Sequence, residues 1–284
     1  MRPLTQNEVR AAVVAALEED VGQGDATCLA TVPPETRAAA LLRTREPVVV
    51  AGLAFAETAF LELSPDVVIG RLTEDGQAVA AGGTLLRIEG PARALLSAER
   101  VALNFLQRLS GVATLTARFV AAVAGTGTRI LDTRKTTPGW RRFEKHAVHC
   151  GGGQNHRMGL HDMILIKDNH LAALRGAQPN PVAAAVERAR AHFPDLRVEV
   201  EADTLDQVAQ ALEAGADIIL LDNMSLDELR AAVHACRARA QTEASGGVTL
   251  ETVRGIAETG VDFISVGALT HSARAVDLGL DFAT

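Results

Sequence analysis

From about residue 113 onward, one pattern repeats about six times: a short apolar run, a polar or glycine-rich cluster, then a stretch with helical spacing. The apolar runs are 129–131, 163–166, 198–201, 218–221, a short run reaching Ser245, and 263–266. The polar clusters fall at 134–135, 167–169, 201, 222, 245–247 and 267. Helices are predicted between them. Pro181–His192 has proline in its first turn, where the missing N–H costs little, and Leu205–Glu213 has Gly215 as its stop. Such alternation is the mark of parallel βαβ units, whose right-handed crossovers build an open doubly wound sheet or a barrel. An open sheet would string six strand-end clusters along an edge. A barrel gathers them at one mouth, on the carboxyl-end face where barrel enzymes place their sites. Chemistry at all six strand ends therefore favours the barrel.

Residues 25–112 differ in texture. Apolar runs at 38–42, 48–51, 67–72 and 84–88 are separated by turn signals at Glu74-Asp75-Gly76 and Gly82-Gly83. A helical stripe follows from Ala94 to Arg108, and a second helix is predicted over 114–123. At roughly 150 residues per domain, 284 residues make about two domains. The expected division is an α+β domain over 1–112 and an α/β barrel over 113–284.

Composition narrows the functional classes. The chain is 48% hydrophobic and 22% charged, enough apolar content for a sizeable core. A net charge of −7, with 3% aromatic residues and no tyrosine, argues against a surface for nucleic acid or anionic membrane. No apolar run approaches the roughly 18 residues of a membrane span. The run 11–17 is closed at once by Glu18, Glu19 and Asp20, so it reads as a helix and not as a signal peptide. Cys28, Cys150 and Cys236 are odd in number and far apart, so a disulfide framework is not expected and a cytoplasmic location is.

Against this acidic background, residues 129–175 hold nine cations and four acids, together with five of the eight histidines and all three lysines. Arg134, Lys135, Arg157 and Lys167 lie at strand ends or in the loop Gly151-Gly152-Gly153-Gln154-Asn155-His156, where cations serve anionic ligands. Arg129, Arg141, Arg142, Lys145 and Arg175 are expected on solvated faces or in surface ion pairs. A zinc centre made of His146, His149, Cys150 and His156 is disfavoured, because a second cysteine pair is missing and the flanking cations would repel a dication.

Acids supply the complementary chemistry. Glu199 and Glu201 share one face of an alternating strand, and either can face a ligand. Asp222 closes the apolar run 218–221, where an acid either caps the next helix or needs a polar partner. Glu201 and Asp222 on neighbouring strands could hold Mg²⁺ or sugar hydroxyls and stabilise positive charge developing on a sugar ring. Ser245-Gly246-Gly247 and Ser265-Val266-Gly267 end the last two strands, where backbone amides cradle phosphates. The composite fits phosphoribosyl transfer from phosphoribosyl pyrophosphate.

With those residues placed, the stretch LDTRKTTPGWRRFEKHAVHCGGGQNHRMGLHDMILIKDNH resembles the signature of the quinolinate phosphoribosyltransferases. The resemblance extends through EDVGQGDAT, ERVALNFLQRLSGVAT, VEVEA, ILLDNM, EASGGV and DFISVGAL, essentially the whole chain. It implies an incomplete parallel, TIM-like α/β barrel with a smaller N-terminal domain. It further implies a homodimer or higher oligomer in which Arg100 enters the neighbouring subunit's site. Arg100, Arg134, His156 and Arg157 would bind the quinolinate carboxylates, and Lys135 and Lys167 would meet substrate anions and pyrophosphate. Glu201 and Asp222 would serve the ribose and Mg²⁺, directly or through water, with Ser245, Gly246, Gly247 and Gly267 around the phosphates. Lys135, Glu201 and Asp222 would then be the catalytic set. The implied reaction converts quinolinate and phosphoribosyl pyrophosphate to nicotinate mononucleotide, pyrophosphate and CO₂, in NAD biosynthesis.

Three rivals differ in testable ways. A transferase for nicotinate itself would turn over without releasing CO₂. A swinging-arm carrier, suggested by the turn-rich region 67–88, lacks a lysine before Lys135 as an attachment point. A Schiff-base aldolase would use Lys135 or Lys167 and be trapped by borohydride.

Overall fold

The computed structural model describes residues 2–282 and divides into two units that interleave along the sequence. The first takes in the chain to Ala117, then Thr137–Gly152, then Leu269 onward; the second holds Arg118–Thr136 and Gly153–Ala268.

The first unit opens with α1 (Gln6–Asp20), α2 (Ala26–Thr31), β1 (Arg37–Thr44), β2 (Val48–Val49), α3 (Leu53–Leu63), β3 (Val68–Arg71), β4 (Ala78–Val79) and β5 (Thr84–Pro91). Helix α1 starts where Thr5 and Glu8 cap each other's backbone N–H groups, a reciprocal box that satisfies two orphan donors. β1 pairs antiparallel with β5, and β5 with β3. The last strand, β12 (Leu278–Phe282), returns to pair with the other edge of β1 and so belongs to this unit.

Helix α4 (Ala92–Ala122) is a single helix of 31 residues, where two were expected with a domain division at 112/113 between them. Gly111 lies inside it, where a Cβ would stand 1.9 Å from the Arg274 carbonyl oxygen, so the residue is needed for a backbone to approach the helix. The compact units accordingly part at Ala117, inside α4.

The second unit is built on β6 (Arg129–Leu131), β7 (Ile164–Ile166), β8 (Val198–Ala202), β9 (Ile218–Asp222), β10 (Gln241–Ser245) and β11 (Phe263–Ser265). They form one parallel sheet in the order β6-β11-β10-β9-β8-β7, so β6 and β7 are its edges and the barrel is incomplete. Between β6 and β7 runs α5 (Arg141–Cys150), which lies in the first unit, and β7 is followed by α6 (Asp168–Ala173). The crossovers are α7 (Pro181–His192), α8 (Leu205–Glu213), α9 (Leu226–Cys236) and α10 (Val253–Ala257), and α11 (Ala268–His271) follows β11. α7 and α8 keep the predicted bounds, because Asn180 and Thr204 cap their first turns and proline opens α7. The four residues Ile218 to Leu221 of β9 are all buried, as a central parallel strand requires. Among the described residues, no helix is long and apolar enough to cross a membrane.

Candidate active site

All six strand ends of the sheet converge on one cavity of about 430 Å³. Thr133, Arg134 and Lys135 enter from the end of β6, Leu165 and Lys167 from β7, Glu201 from β8, and Leu220 and Asp222 from β9. Glu243 and Ser245 enter from β10, Ser265 from β11, and His156 and Arg157 from the loop before β7. A larger basin of about 610 Å³ opens at Arg197, Asp217, Gln241 and Asp262, the amino ends of the strands, and shares none of these groups. Site chemistry in such sheets belongs to the carboxyl ends. The first cavity is therefore the candidate site.

Its cationic side is built to need an anion. The Arg134 Nε is buried and has no hydrogen-bond partner. Arg157 donates from Nη1 to the Met163 carbonyl oxygen at 3.2 Å. Burial, then the neighbouring Arg134 charge, lowers the Arg157 guanidinium below its usual value. Two guanidiniums that repel each other in a partly desolvated hole are stabilised together by a bound carboxylate.

The loop carrying His156 and Arg157 is fixed by Asp132, which is fully buried just past β6. One Asp132 oxygen accepts from the His156 backbone N–H at 2.9 Å and the other from Asn155 Nδ2 at 2.6 Å. His156 Nδ1 accepts the Arg157 backbone N–H at 2.8 Å, so the ring hydrogen sits on Nε2 and points to Glu199 Oε2 at 3.0 Å. Glu243 Oε2 lies 3.5 Å from the same Nε2.

Glu199 and Glu201 share a face, as alternation requires, but differ in depth. Glu201 lines the cavity and pairs with Lys167 Nζ, whereas Glu199 is fully buried beneath it against His156. Glu243 on β10 reaches Glu199 on β8 across β9, as side chains of alternate strands meet inside a barrel. Burial, reinforced by the Glu199 charge, pushes the Glu243 carboxyl up to about 8. Burial likewise raises Glu199 to about 7. Sequence reasoning passed over Glu243, Asp132 and Thr133, whereas Ser265 lines the cavity from the turn that the sequence marks for phosphate. For Glu243 the available signal was its i, i+2 relation to Ser245 within one strand.

This acid has a measurable consequence. An unfolded Glu243 gives up its proton near 4.5 and the folded one near about 8, so between those values the folded state holds the extra proton. Stability therefore falls as pH rises through that interval. Glu243→Gln removes the titration, so its melting temperature relative to the parent is expected to climb from pH 6 to pH 9. A constant difference in calorimetry at the two pH values would contradict the assignment.

On the acidic side, Asp222 Oδ2 accepts from Asn223 Nδ2 at 2.6 Å, and the Asn223 backbone N–H donates to the Ser245 carbonyl oxygen at 3.0 Å. Gly246 follows with φ +99°, and a Cβ there would meet Asn223 Oδ1 at 2.1 Å. Gly246→Ala is expected to dislodge Asn223 from Asp222, costing about 1–3 kcal/mol in strain and at least tenfold in turnover. Calorimetry and steady-state rates on one preparation check both.

The structure thus gathers Arg134, Lys135, His156, Arg157, Lys167, Glu201, Asp222 and Ser245 around one cavity. Gly246 and Gly247 make the left-handed turn after Ser245, and Gly267 follows β11. Arg100 is not brought to this cavity: it lies exposed on α4 in the first unit.

Comparison with known proteins gives the family of the chain. The family described as "Quinolinate phosphoribosyl transferase, N-terminal domain" matches residues 25–110, and its C-terminal counterpart matches 112–281. The chain belongs to the quinolinate phosphoribosyltransferase family. A family relative from Mycobacterium leprae, a nicotinate-nucleotide pyrophosphorylase [carboxylating], is 45% identical over 277 residues, covering 94% of each chain. The chloroplastic nicotinate-nucleotide pyrophosphorylase [carboxylating] of Arabidopsis thaliana is 42% identical over 98% of this chain and 83% of its own. The solved nicotinate-nucleotide pyrophosphorylase from Francisella tularensis superposes with a TM-score of 0.93 at 39% identity, covering 99% of this chain and 98% of that one. The family's two matched domains meet at residues 110–112, within α4, whereas the compact units part at Ala117 and interleave.

Proposed function

We propose that this enzyme transfers the phosphoribosyl group of phosphoribosyl pyrophosphate to the ring nitrogen of quinolinate. The adjacent carboxylate leaves as CO₂, and nicotinate mononucleotide and pyrophosphate are the products, a step of NAD biosynthesis. The observation that carries the reading is the unpartnered, buried Arg134 Nε near the Arg157 guanidinium, in one cavity with the Glu201 and Asp222 carboxylates. A ring dicarboxylate answers the first pair, and a sugar carbon turning cationic answers the second.

Arg134 and Arg157 grip the dicarboxylate, with His156 beside them, and so aim the ring nitrogen. Glu201 and Asp222 stabilise the oxocarbenium-like ribose as pyrophosphate departs. Lys135 and Lys167 neutralise the anions, and the turn Ser245-Gly246-Gly247 with Gly267 receives the phosphates through backbone amides. Carboxylate oxygens are the donors Mg²⁺ prefers, so Glu201 and Asp222 suit an ion entering with the pyrophosphate, held directly or through water. That ion would offset the charge of the leaving group. Once alkylated, the cationic ring nitrogen stabilises the carbanion left on the neighbouring carbon as its bond to CO₂ breaks, and that carbon takes one proton from water to give nicotinate mononucleotide. Arg100, exposed on α4, would complete the carboxylate grip from a second copy of the chain in a homodimer or higher assembly.

Incubation with quinolinate, phosphoribosyl pyrophosphate and Mg²⁺ is expected to yield nicotinate mononucleotide with one CO₂ per pyrophosphate. Equal turnover of nicotinate would overturn the reading.

A further inference from the structure

The first unit holds a second cluster of reactive side chains, which shares no residue with the cavity above. His146 and Cys150 lie four residues apart on one face of α5, and Asp75 meets them from the turn between β3 and β4. Asp75 Oδ2 lies 3.0 Å from His146 Nε2, and Cys150 Sγ lies 3.5 Å from that same nitrogen. One nitrogen carries at most one hydrogen. If Nε2 donates to Asp75, it cannot accept the thiol; if it accepts the thiol, Asp75 receives nothing from it. Hydrogen bonding through Nε2 therefore serves Asp75 Oδ2 or the Cys150 thiol, not both.

We propose that Asp75, His146 and Cys150 form a binding site for a borderline-soft divalent cation of the Zn²⁺ type. A cation among them would engage Oδ2, Nε2 and Sγ at once, with water as the fourth ligand. The spacing suits it: Zn–N and Zn–O bonds of about 2.0–2.2 Å and Zn–S of about 2.3 Å put tetrahedral ligand atoms roughly 3.3–3.6 Å apart. The Nε2–Sγ edge at 3.5 Å already has that length, the Oδ2–Nε2 edge at 3.0 Å must open by a few tenths of an ångström, and all three ligand atoms lie within 4.8 Å of one another. Asp75 is also oriented from behind, since its Oδ1 accepts the Gly52 and Leu53 backbone N–H groups at 3.0 and 3.1 Å. Such outer contacts fix a metal ligand's direction. Entry is open, with the Asp75 and His146 side chains 25% and 23% exposed.

This ligand set differs from the His146, His149, Cys150 and His156 set that the sequence disfavours. Asp75 supplies the anion missing there, while His149 is exposed and His156 belongs to the other unit. A thiolate–imidazole–carboxylate set selects against Mg²⁺, whose hard-oxygen preference suits the transferase cavity instead. A thiol must lose its proton to bind a metal, so cation binding turns Cys150–SH into a metal thiolate with release of one proton, and affinity rises with pH.

The test uses the full chain, first stripped of metal, with Co²⁺ and Zn²⁺ as separate probes. Co²⁺ is expected to bind one per chain and give a thiolate-to-cobalt charge-transfer band, which Zn²⁺ removes. Saturating Zn²⁺ should raise the melting temperature by about 5 °C. Cys150→Ser should abolish the band, and His146→Gln should weaken Zn²⁺ binding at least about tenfold. Iodoacetamide reports independently: Cys28 and Cys236 are buried, so alkylation falls first on Cys150, and Zn²⁺ should slow it in the parent but not in His146→Gln. Absence of the charge-transfer band in the parent, or equal Zn²⁺ occupancy and protection in the parent and His146→Gln, overturns the proposal.

Discussion

Arg134→Ala is expected to lower kcat/KM for quinolinate by about 10²–10³-fold while leaving the melting temperature undiminished. Truncating one partner of a buried charged contact costs about 2–5 kcal/mol of binding, and a loss of 3–4 kcal/mol falls in the stated range. The unchanged stability follows from the contacts Arg134 makes within the chain. Arg134 Nε has no partner there, and the Arg134 charge works against its neighbour Arg157, so removal discards a burden on the folded chain. The two effects therefore separate: the defect appears on ligand binding and not in folding. Arg134→Lys should recover little, since a point charge cannot reproduce a planar fork on a carboxylate. Pyrophosphate release and calorimetry on the same preparations check this, and an unaltered rate would remove Arg134 from the site.

Why Arg134 was legible in the sequence, and Glu243 was not, follows from the kind of information each needs. Arg134 sits in a cation-rich segment of an acidic chain, directly after an apolar run, so composition and strand-end position suffice. The six βα repeats were readable for the same local reason, and α7 and α8 kept their bounds because their caps are neighbours in sequence. Glu243 owes its character to Glu199 and to complete burial, and the two acids come from β10 and β8. Alternation puts Glu243 on the Ser245 face, but local sequence does not reveal a second acid waiting there. Gly111 in mid-helix depends on tertiary packing in the same way, since what justifies it is a carbonyl at Arg274. Asp75 is likewise 71 positions from His146. The ambiguity between Glu199 and Glu201 lay in depth, which alternation does not encode; the cavity admits Glu201 and covers Glu199.

Glu201→Ala should act on a different quantity. Glu201 lines the cavity with only 11% of its side chain exposed and is paired with Lys167. If its carboxylate faces the positive charge that develops on the ribose, its worth is realised mainly in the transition state. Removing one preorganised electrostatic group of this kind costs about 3–4 kcal/mol, or 10²–10³-fold in kcat. Interactions made only in the transition state lower kcat and kcat/KM together and leave KM nearly constant. Alanine also frees Lys167 to bind substrate phosphates more tightly, so KM for phosphoribosyl pyrophosphate is expected to hold steady or fall. Glu201→Gln divides charge from hydrogen bonding: the amide can still bond a ribose hydroxyl but carries no charge. A kcat near that of the alanine variant would assign the effect to charge, and a kcat near the parent would assign it to hydroxyl binding. A rise in KM with kcat preserved would place Glu201 in ground-state recognition and shift the electrostatic role to Asp222, whose carboxylate the Asn223 amide already holds at the same mouth.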